Sequence, residues 1–496
     1  MSTLKKFAGQ TVVYGLSTII SRLLNFILTP IYVSIYPARV YGIFTTMYAW
    51  ASMLNAVLAF GMETTFFRYL NKYEGAEDKR KVYTTTFFFV LGIALFFLLI
   101  SSFFAGNVAI WMHDGSLTSV EDYKLFILIF IWILVIDAIS VIPFAKIRAD
   151  GRPGRYALIK LINVISFVSL NLIFLFVIPW LIKNGSEFSW YRPGWVGYVF
   201  VSNLMASVFT LILLLPELLK LGYKMNGALL KEMIYYSFPI LIANLSFIVN
   251  ENSDKIFLKK LLDGDFGTQE VGIYGAVCKI AVFLSIFIQA FRLGAEPFFF
   301  SHAKNKNSGE TYASIMNYFV IAICLIFVSL VANIEILKYF IKGSGAEKEV
   351  FWSGLKVVPV LLLGYVSLGI YMNLSIWYKL SDQTKYGLYI SGIGALLTII
   401  LNIIFIPRFS YVASAWISLT AYASMMVISY VLGQRNYPIP YNVKKIVTYL
   451  VASVIIVFLS FNVFNRSLLA GNTLVLVFVL VTLYFERKNI LLILRK

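Results

Sequence analysis

Charge is what this chain is short of. Asp, Glu, Lys and Arg together make up 13% of its 496 residues, about half the share found in soluble domains. A soluble enzyme or binding module of this length is excluded on that ground. Histidine is nearly missing: His113 and His302 lie in loops far apart in sequence, so no histidine cluster can hold a metal. Cysteine is as sparse. Cys278 and Cys324 both fall inside apolar runs, which argues against a disulfide framework and against a zinc site. Acid is scarcer than base, 24 Asp and Glu against 42 Lys and Arg, for a formal charge of +18. Such an excess would suit nucleic acid if the cations lined one face. They sit instead in short loops between apolar runs, which excludes that partner.

What is present is apolar sequence. Runs of about 20 residues, the length needed to cross about 30 Å of hydrocarbon, recur from end to end. The pattern predicts an all-α polytopic membrane protein with about fourteen spans. The first covers Thr11–Tyr36, and the last two cover Ile446–Phe464 and Gly471–Phe485. A cleavable signal peptide is not expected, because the first run carries Arg22 and lacks a small-residue cleavage site. Loops stay below about 20 residues, so Lys and Arg report orientation. Placing the N-terminus inside puts about 25 cations in the cytoplasm and about 12 outside. Both termini are then cytoplasmic.

The chain also repeats itself. Tyr41–Phe44 (YGIF) leads after one span to Gly61–Phe67 (GMETTFF), and Val271–Tyr274 (VGIY) leads likewise to Gly294–Phe300 (GAEPFFF). Arg155 and Tyr156 precede Leu170–Phe174 (LNLIF), as Lys385 and Tyr386 precede Leu401–Phe405 (LNIIF). All three offsets are near 230 residues. An even number of spans separates the copies, so equivalent helices run the same way, a parallel repeat about an axis near the membrane normal. The expected organisation is a lobe at 1–222, a second pseudo-symmetric six-helix lobe at 223–435, and two further helices at 436–496. Transporters place their substrate between such halves.

A charge at the centre of a span costs about 2.5–3.5 kcal/mol on insertion scales, so each one present needs an explanation. Arg292 with Glu296, and Glu251 with Lys255, are spaced to neutralise each other on one helix face. Glu63 and Glu296 occupy equivalent repeat positions near cytoplasmic helix ends, where they suit either a gate, together with Arg292, or helix-end packing. Arg22, Lys279, Asp137 and Asp254 have no opposite charge one turn away, although Asp254 adjoins Lys255. Ion pairs of Arg22 with Asp137 and of Lys279 with Asp254 would account for them. Alternatively both cations face a hydrated cavity and meet an anionic substrate. Thr18, Arg22, Asn25 and Thr29 form a polar stripe on the first span, and Ser237, Asn244 and Glu251 form one on the seventh. Asp137, Asp254 and Glu251 are the carboxylates suited to exchange H+ or Na+. No other cofactor and no metal site is expected.

The motifs YGIF…GMETTFFRY (Tyr41–Tyr69), SDKIFL (Ser253–Leu258) followed by VGIYGAV (Val271–Val277), and RADGRPGRY (Arg148–Tyr156) before an LN-containing span carry a resemblance. They are similar to those of Wzx-like polysaccharide-transport flippases, in the multidrug/oligosaccharidyl-lipid/polysaccharide exporter superfamily, over nearly the whole chain. The resemblance implies two six-helix lobes plus two extra helices. It also implies that a polyprenyl-pyrophosphate-linked oligosaccharide, an O-antigen, capsule or exopolysaccharide repeat unit, is carried to the outer leaflet by alternating access. Arg22 and Lys279 would then bind the pyrophosphate, with Asn25 and Asn244 beside them, since a guanidinium fork matches phosphate oxygens. Implied partners are the lipid-linked oligosaccharide, membrane lipids and glycan polymerase machinery, with the protein itself a monomer.

Two rival readings make different demands. A multidrug exporter of the same superfamily shares the fold, but an organic cation wants a carboxylate-rich cavity, and here the isolated charges balance. A membrane glycan polymerase or ligase needs a sizeable external loop for its chemistry, which the short loops do not provide, so no enzyme is expected.

Overall fold

The computed structural model describes residues 26–113, 118–222, 225–302, 307–381 and 383–494, without the side chains of 293, 296–297, 300–302 and 488–494. Every regular element among these residues is helical. Twelve helices are long and apolar enough to cross a membrane. One of them, Lys385–Asn436, has 52 residues, about 78 Å of helix and far more than one crossing needs. Ser410 breaks it with a non-helical backbone (φ 49°, ψ −140°), so it supplies two crossings. The apolar helix Phe26–Ile35 is the described part of the first expected span. The fourteen expected segments are thus all represented.

Some helices depart from ideal form, each for a local reason. The second span is two helices, Ala38–Ala59 and Met62–Lys72, parted by Phe60 and Gly61 at φ 48° and 66°. The glycine is required there twice over: its backbone is left-handed, and a Cβ would lie 3.0 Å from both the Ser237 carbonyl and Ile240. The fifth span, Pro153–Lys183, contains a π-helical stretch at Ile173–Val177. The fourth, Val120–Ala149, is started by Ser119, whose hydroxyl accepts from the Asp122 amide, and it runs on through Pro143. On Ala76–Phe103 the side chains of Phe96, Leu99 and Phe103 are exposed, as lipid-facing residues should be.

By contact the chain forms two compact units, Met1–Gly272 with Thr398–Ser410, and Ile273–Leu397 with Tyr411–Lys496. The expected lobes divide the chain by duplication of sequence, at 222 and 435, which is a different criterion. In the first unit Val120–Ala149 is the central helix, and Phe126 and Phe130 pack with Phe200, Tyr48 and Trp195 into an aromatic core. Here too the glycines of YGIF and VGIY meet. A Cβ on Gly42 would lie 1.9 Å from the Thr268 carbonyl oxygen, and one on Gly272 would lie 1.8 Å from that of Ala38. Each glycine therefore sits on the carbonyl one turn before the other. The contact is reciprocal, as a local two-fold relation between repeat-equivalent helices requires, and it is the small-residue crossing by which membrane helices approach closely. Arg39 fastens the same crossing, to Asp265 at 3.0 Å and to Gln269 at 3.4 Å.

In the second unit Glu347–Leu380 is the most buried span. Gly354 lets it approach Val277 and Ile273, and Gly364 lets it approach Leu419. Ser308–Ala332 packs against it and against the last two spans, Val443–Val463 and Leu468–Arg487.

Candidate functional site

Two clusters of polar groups stand out inside the spans of the first unit. In the first, Asp137, near the middle of Val120–Ala149, accepts a hydrogen bond from Ser207 at 2.8 Å. The Lys160 ammonium from the next span adds a favourable field and rests 4.3 Å from the Phe144 ring centroid. Around them Asn203 donates to the Tyr48 hydroxyl at 2.9 Å, and Asn163 donates to Thr210 at 2.9 Å and to the Ala206 carbonyl at 3.1 Å. A carboxylate in a low-dielectric interior needs this kind of company, because an unpaired one is costly.

The second cluster joins Gly227–Leu261 to Thr398 and Asn402. Thr398 donates to Asn250 at 2.9 Å, and Asn402 donates to the Thr398 carbonyl at 2.7 Å. The Asn402 side-chain oxygen is fully buried and has no hydrogen-bond partner among the described residues. One turn beyond Asn250 on the same helix face lies Asp254, itself buried. Asn402 is the asparagine of LNIIF. Its repeat equivalent in LNLIF, Asn171, is also buried and accepts from Tyr32 of the first span at 2.9 Å. Both repeat asparagines donate to the carbonyl one turn earlier on their own helix, Phe167 and Thr398. Each lies next to a link to the opening helix of its copy, Asn171 through Tyr32 itself and Asn402 through its neighbour Thr398.

Asp254, with no opposite charge one turn away, takes the adjoining lysine instead. Lys255 reaches it at 2.9 Å, and the Lys255 amide donates to the same oxygen at 2.8 Å. Adjacent side chains on a helix diverge, but a lysine stem is long enough to turn its ammonium back, and burial favours the pair. The same ammonium also donates to the Glu251 carbonyl at 2.9 Å. Glu251 and Asn244 have exposed side chains, and Lys279 is half-buried in the second unit. Arg22 and Asn25 lie outside the described residues, as does the side chain of Glu296. Arg292 lines a small pocket of about 20 Å³ with Asn373 and Lys379, room for about one water. The buried Asn373 amide nitrogen there has no partner.

At the helix ends expected in the cytoplasm, Glu63 pairs with Arg148, whose guanidinium also lies 4.9 Å from the Phe67 ring centroid. Beside them Glu217, its side chain wholly buried, takes both terminal nitrogens of Arg152 at 2.8 and 2.7 Å, Arg155 at 3.2 Å and Lys220 at 2.7 Å. The RADGRPGRY loop is therefore anchored through its arginines. Glu217 and Lys160 were legible by the same sorting of buried charges. Glu217 stands at the end of Gly197–Leu218, and Lys160 lies near the start of Pro153–Leu172, close to loop cations. Among the described residues no three His, Cys, Asp or Glu side chains come together to hold a metal ion.

Spanning helices with repeat-equivalent glycine and asparagine contacts, and buried charges held by neighbouring helices, define a multi-pass helical membrane protein. Solved structures share its fold. "Lipid II flippase MurJ, inward closed conformation" is similar at TM-score 0.70 and 15% identity, covering 97% of this chain and 100% of that one. An inward-facing multidrug resistance MATE family transporter of the MOP superfamily is similar at TM-score 0.66 and 13% identity, covering 86% and 97%. A point mutant of the Vibrio cholerae MATE transporter VcmN is similar at 0.59 and 12%, covering 87% and 95%. No curated sequence matches the chain. The model of the polysaccharide biosynthesis protein family matches residues 7–295, and the chain belongs to that family; the MatE model matches residues 239–404.

Proposed function

We propose that this protein is a flippase that carries a polyprenyl-pyrophosphate-linked oligosaccharide from the inner to the outer leaflet of a bacterial cytoplasmic membrane. The observation that carries the reading is the family match over residues 7–295. The end-to-end likeness of fold to a lipid II flippase supports it. The chemistry agrees. A glycan and a pyrophosphate cannot cross hydrocarbon bare, and helices that hold ionised groups in hydrogen-bonded clusters offer a hydrated route. Alternating access follows from the parallel repeat, with both termini on the cytoplasmic side, and no glycan-joining activity is assigned. Arg22 and Lys279 are assigned to the pyrophosphate, with Asn25 and Asn244 beside them. Glu63, Arg292 and Glu296 are assigned to the cytoplasmic gate.

Coupling to H+ or Na+ is assigned to Asp137, Asp254 and Glu251. The support for Asp254 is its place one turn from Asn250 and the unpartnered oxygen of Asn402, which together offer a cation oxygen ligands. The protein acts as a monomer and hands its cargo to glycan polymerase machinery. A second reading, export of organic cations, is favoured by the MatE match at 239–404. Deleting the protein separates the two. Accumulation of a lipid-linked oligosaccharide on the inner leaflet supports the flippase, and raised drug sensitivity without it supports the exporter.

A further inference from the structure

The positive-inside rule depletes Lys and Arg from external loops. With the N-terminus inside, the segment leading from the ninth span into the tenth and the turn joining the last two fall outside, and they nevertheless gather Lys338, Lys342, Lys348, Lys356 and Arg466 within the second unit. These cations are organised. Lys338 and Lys348 lie 4.3 and 4.4 Å from the ring centroid of Trp352, whose indole N–H donates to the Lys338 carbonyl at 3.0 Å. Glu335 pairs with Lys338 and, at 3.3 Å, with Arg466 Nε. Between the start of Glu347–Leu380 and the turn joining the last two spans lies an open cavity of about 340 Å³. It is lined by Trp352, Lys356, Phe461, Asn462, Asn465 and Arg466.

The lining has a definite chemistry. Among the described residues Lys356 pairs with no carboxylate and lies 5.0 Å from the Tyr411 ring centroid. Glu335 meets Arg466 at Nε, and a guanidinium carries four further donors on its terminal nitrogens. Asn462 and Asn465 add amide donors and acceptors, and Trp352 and Phe461 add aromatic edges or faces. Asn465 and Arg466 are held at φ 45° and 62°, a conformation that side chains adopt at a cost. The turn thus keeps two polar side chains where glycines would be easier. Cations for a carboxylate or phosphate, amides for hydroxyls and rings for sugar faces describe a site for an acidic sugar. A lipid headgroup would need the charges but not the amides.

We infer that this outer cavity binds an acidic glycan, a sugar carrying carboxylate or phosphate, as the cargo leaves on the external side. The inference rests on the flippase reading and narrows its substrate class. The test uses the full-length protein in phosphatidylcholine nanodiscs, titrated with a glucuronate-containing trisaccharide and a neutral trisaccharide of equal length. The acidic sugar should bind at least about tenfold more tightly, and Lys356→Gln and Arg466→Gln should each remove about tenfold of its affinity without changing the neutral one. Lys356→Arg keeps the charge and should restore binding, which a misfolded cavity would not. Equal affinities for the two sugars, or unchanged binding in both Gln variants, overturns the inference. So does a lipid site, seen as loss of glycan binding when phosphatidylglycerol is added together with weaker lipid retention by the Gln variants. Accumulation of lipid-linked oligosaccharide in the deletion strain is scored separately. If accumulation occurs while the cavity shows no preference, the flippase stands and the acidic-glycan site falls. If no accumulation occurs, the flippase reading itself falls.

Discussion

Gly42→Ala is the smallest change that challenges the crossing of the repeat-equivalent helices. The added Cβ would lie 1.9 Å from the Thr268 carbonyl oxygen and 2.9 Å from its carbon. Backbone cannot swing aside as a side chain does, so the helices must part by about 1.5 Å to regain ordinary contact. That separation stretches the Arg39 contacts to Asp265 and Gln269, now 3.0 and 3.4 Å. Overpacking of this kind costs about 1–3 kcal/mol, enough to shift a conformational equilibrium about 5- to 150-fold. Ala38, buried at the crossing, is the place to read it. In a background with Cys278 and Cys324 replaced, Ala38→Cys should react slowly with an impermeant maleimide. Adding Gly42→Ala should speed that reaction about 5- to 150-fold. Gly272→Ala, 1.8 Å from the Ala38 carbonyl, should act alike, and the double variant should cost less than the two singles summed, since one separation relieves both clashes. Unchanged labelling and unchanged thermal stability in both single variants would refute the close crossing.

Other expectations follow from the charge clusters. Glu217→Gln leaves Arg152, Arg155 and Lys220 short of their shared counter-charge; with those cations part-exposed, about 1–3 kcal/mol of stability should go, read as a lower melting temperature in detergent. Asp137→Asn and Lys160→Met should each destabilise, and combining them should recover part of the loss; strict additivity would mean the two do not sense each other. Asp254→Asn should weaken transport and alter its dependence on H+ or Na+, whereas an unchanged ion dependence would leave the residue a partner of Lys255 alone. Arg22→Ala should cut substrate binding about ten- to hundredfold, with Arg22→Lys recovering part of it; near-normal flipping by Arg22→Ala with Asp137→Ala would remove the pyrophosphate role.

Span number and repeat were legible because both are written in periodic features: apolar length, and glycines and asparagines recurring at one offset. The glycines of YGIF and VGIY could be matched by eye, but not their meeting, since a crossing depends on how two helices lie in space. Buried charge was readable one residue at a time, while its partners were not. Asp137 finds Ser207 and Lys160 on other helices, 70 and 23 positions away in sequence, beyond the reach of a rule that looks one turn along a single helix. Asp254 pairs with the lysine that adjoins it in sequence, where the same rule looks a turn further along. The outer cavity escaped because Trp352 and Arg466 come from distant segments, and each alone reads as an interfacial anchor.

The account rests most directly on where the lipid-linked oligosaccharide resides when this protein is removed. Inverted and right-side-out vesicles from a deletion strain, probed with an impermeant glycan-modifying reagent, report the leaflet. The account predicts that the lipid-linked repeat unit accumulates on the cytoplasmic side, and that restoring the intact chain returns it to the outer side. An unchanged distribution between leaflets, with glycan assembly intact, would contradict it.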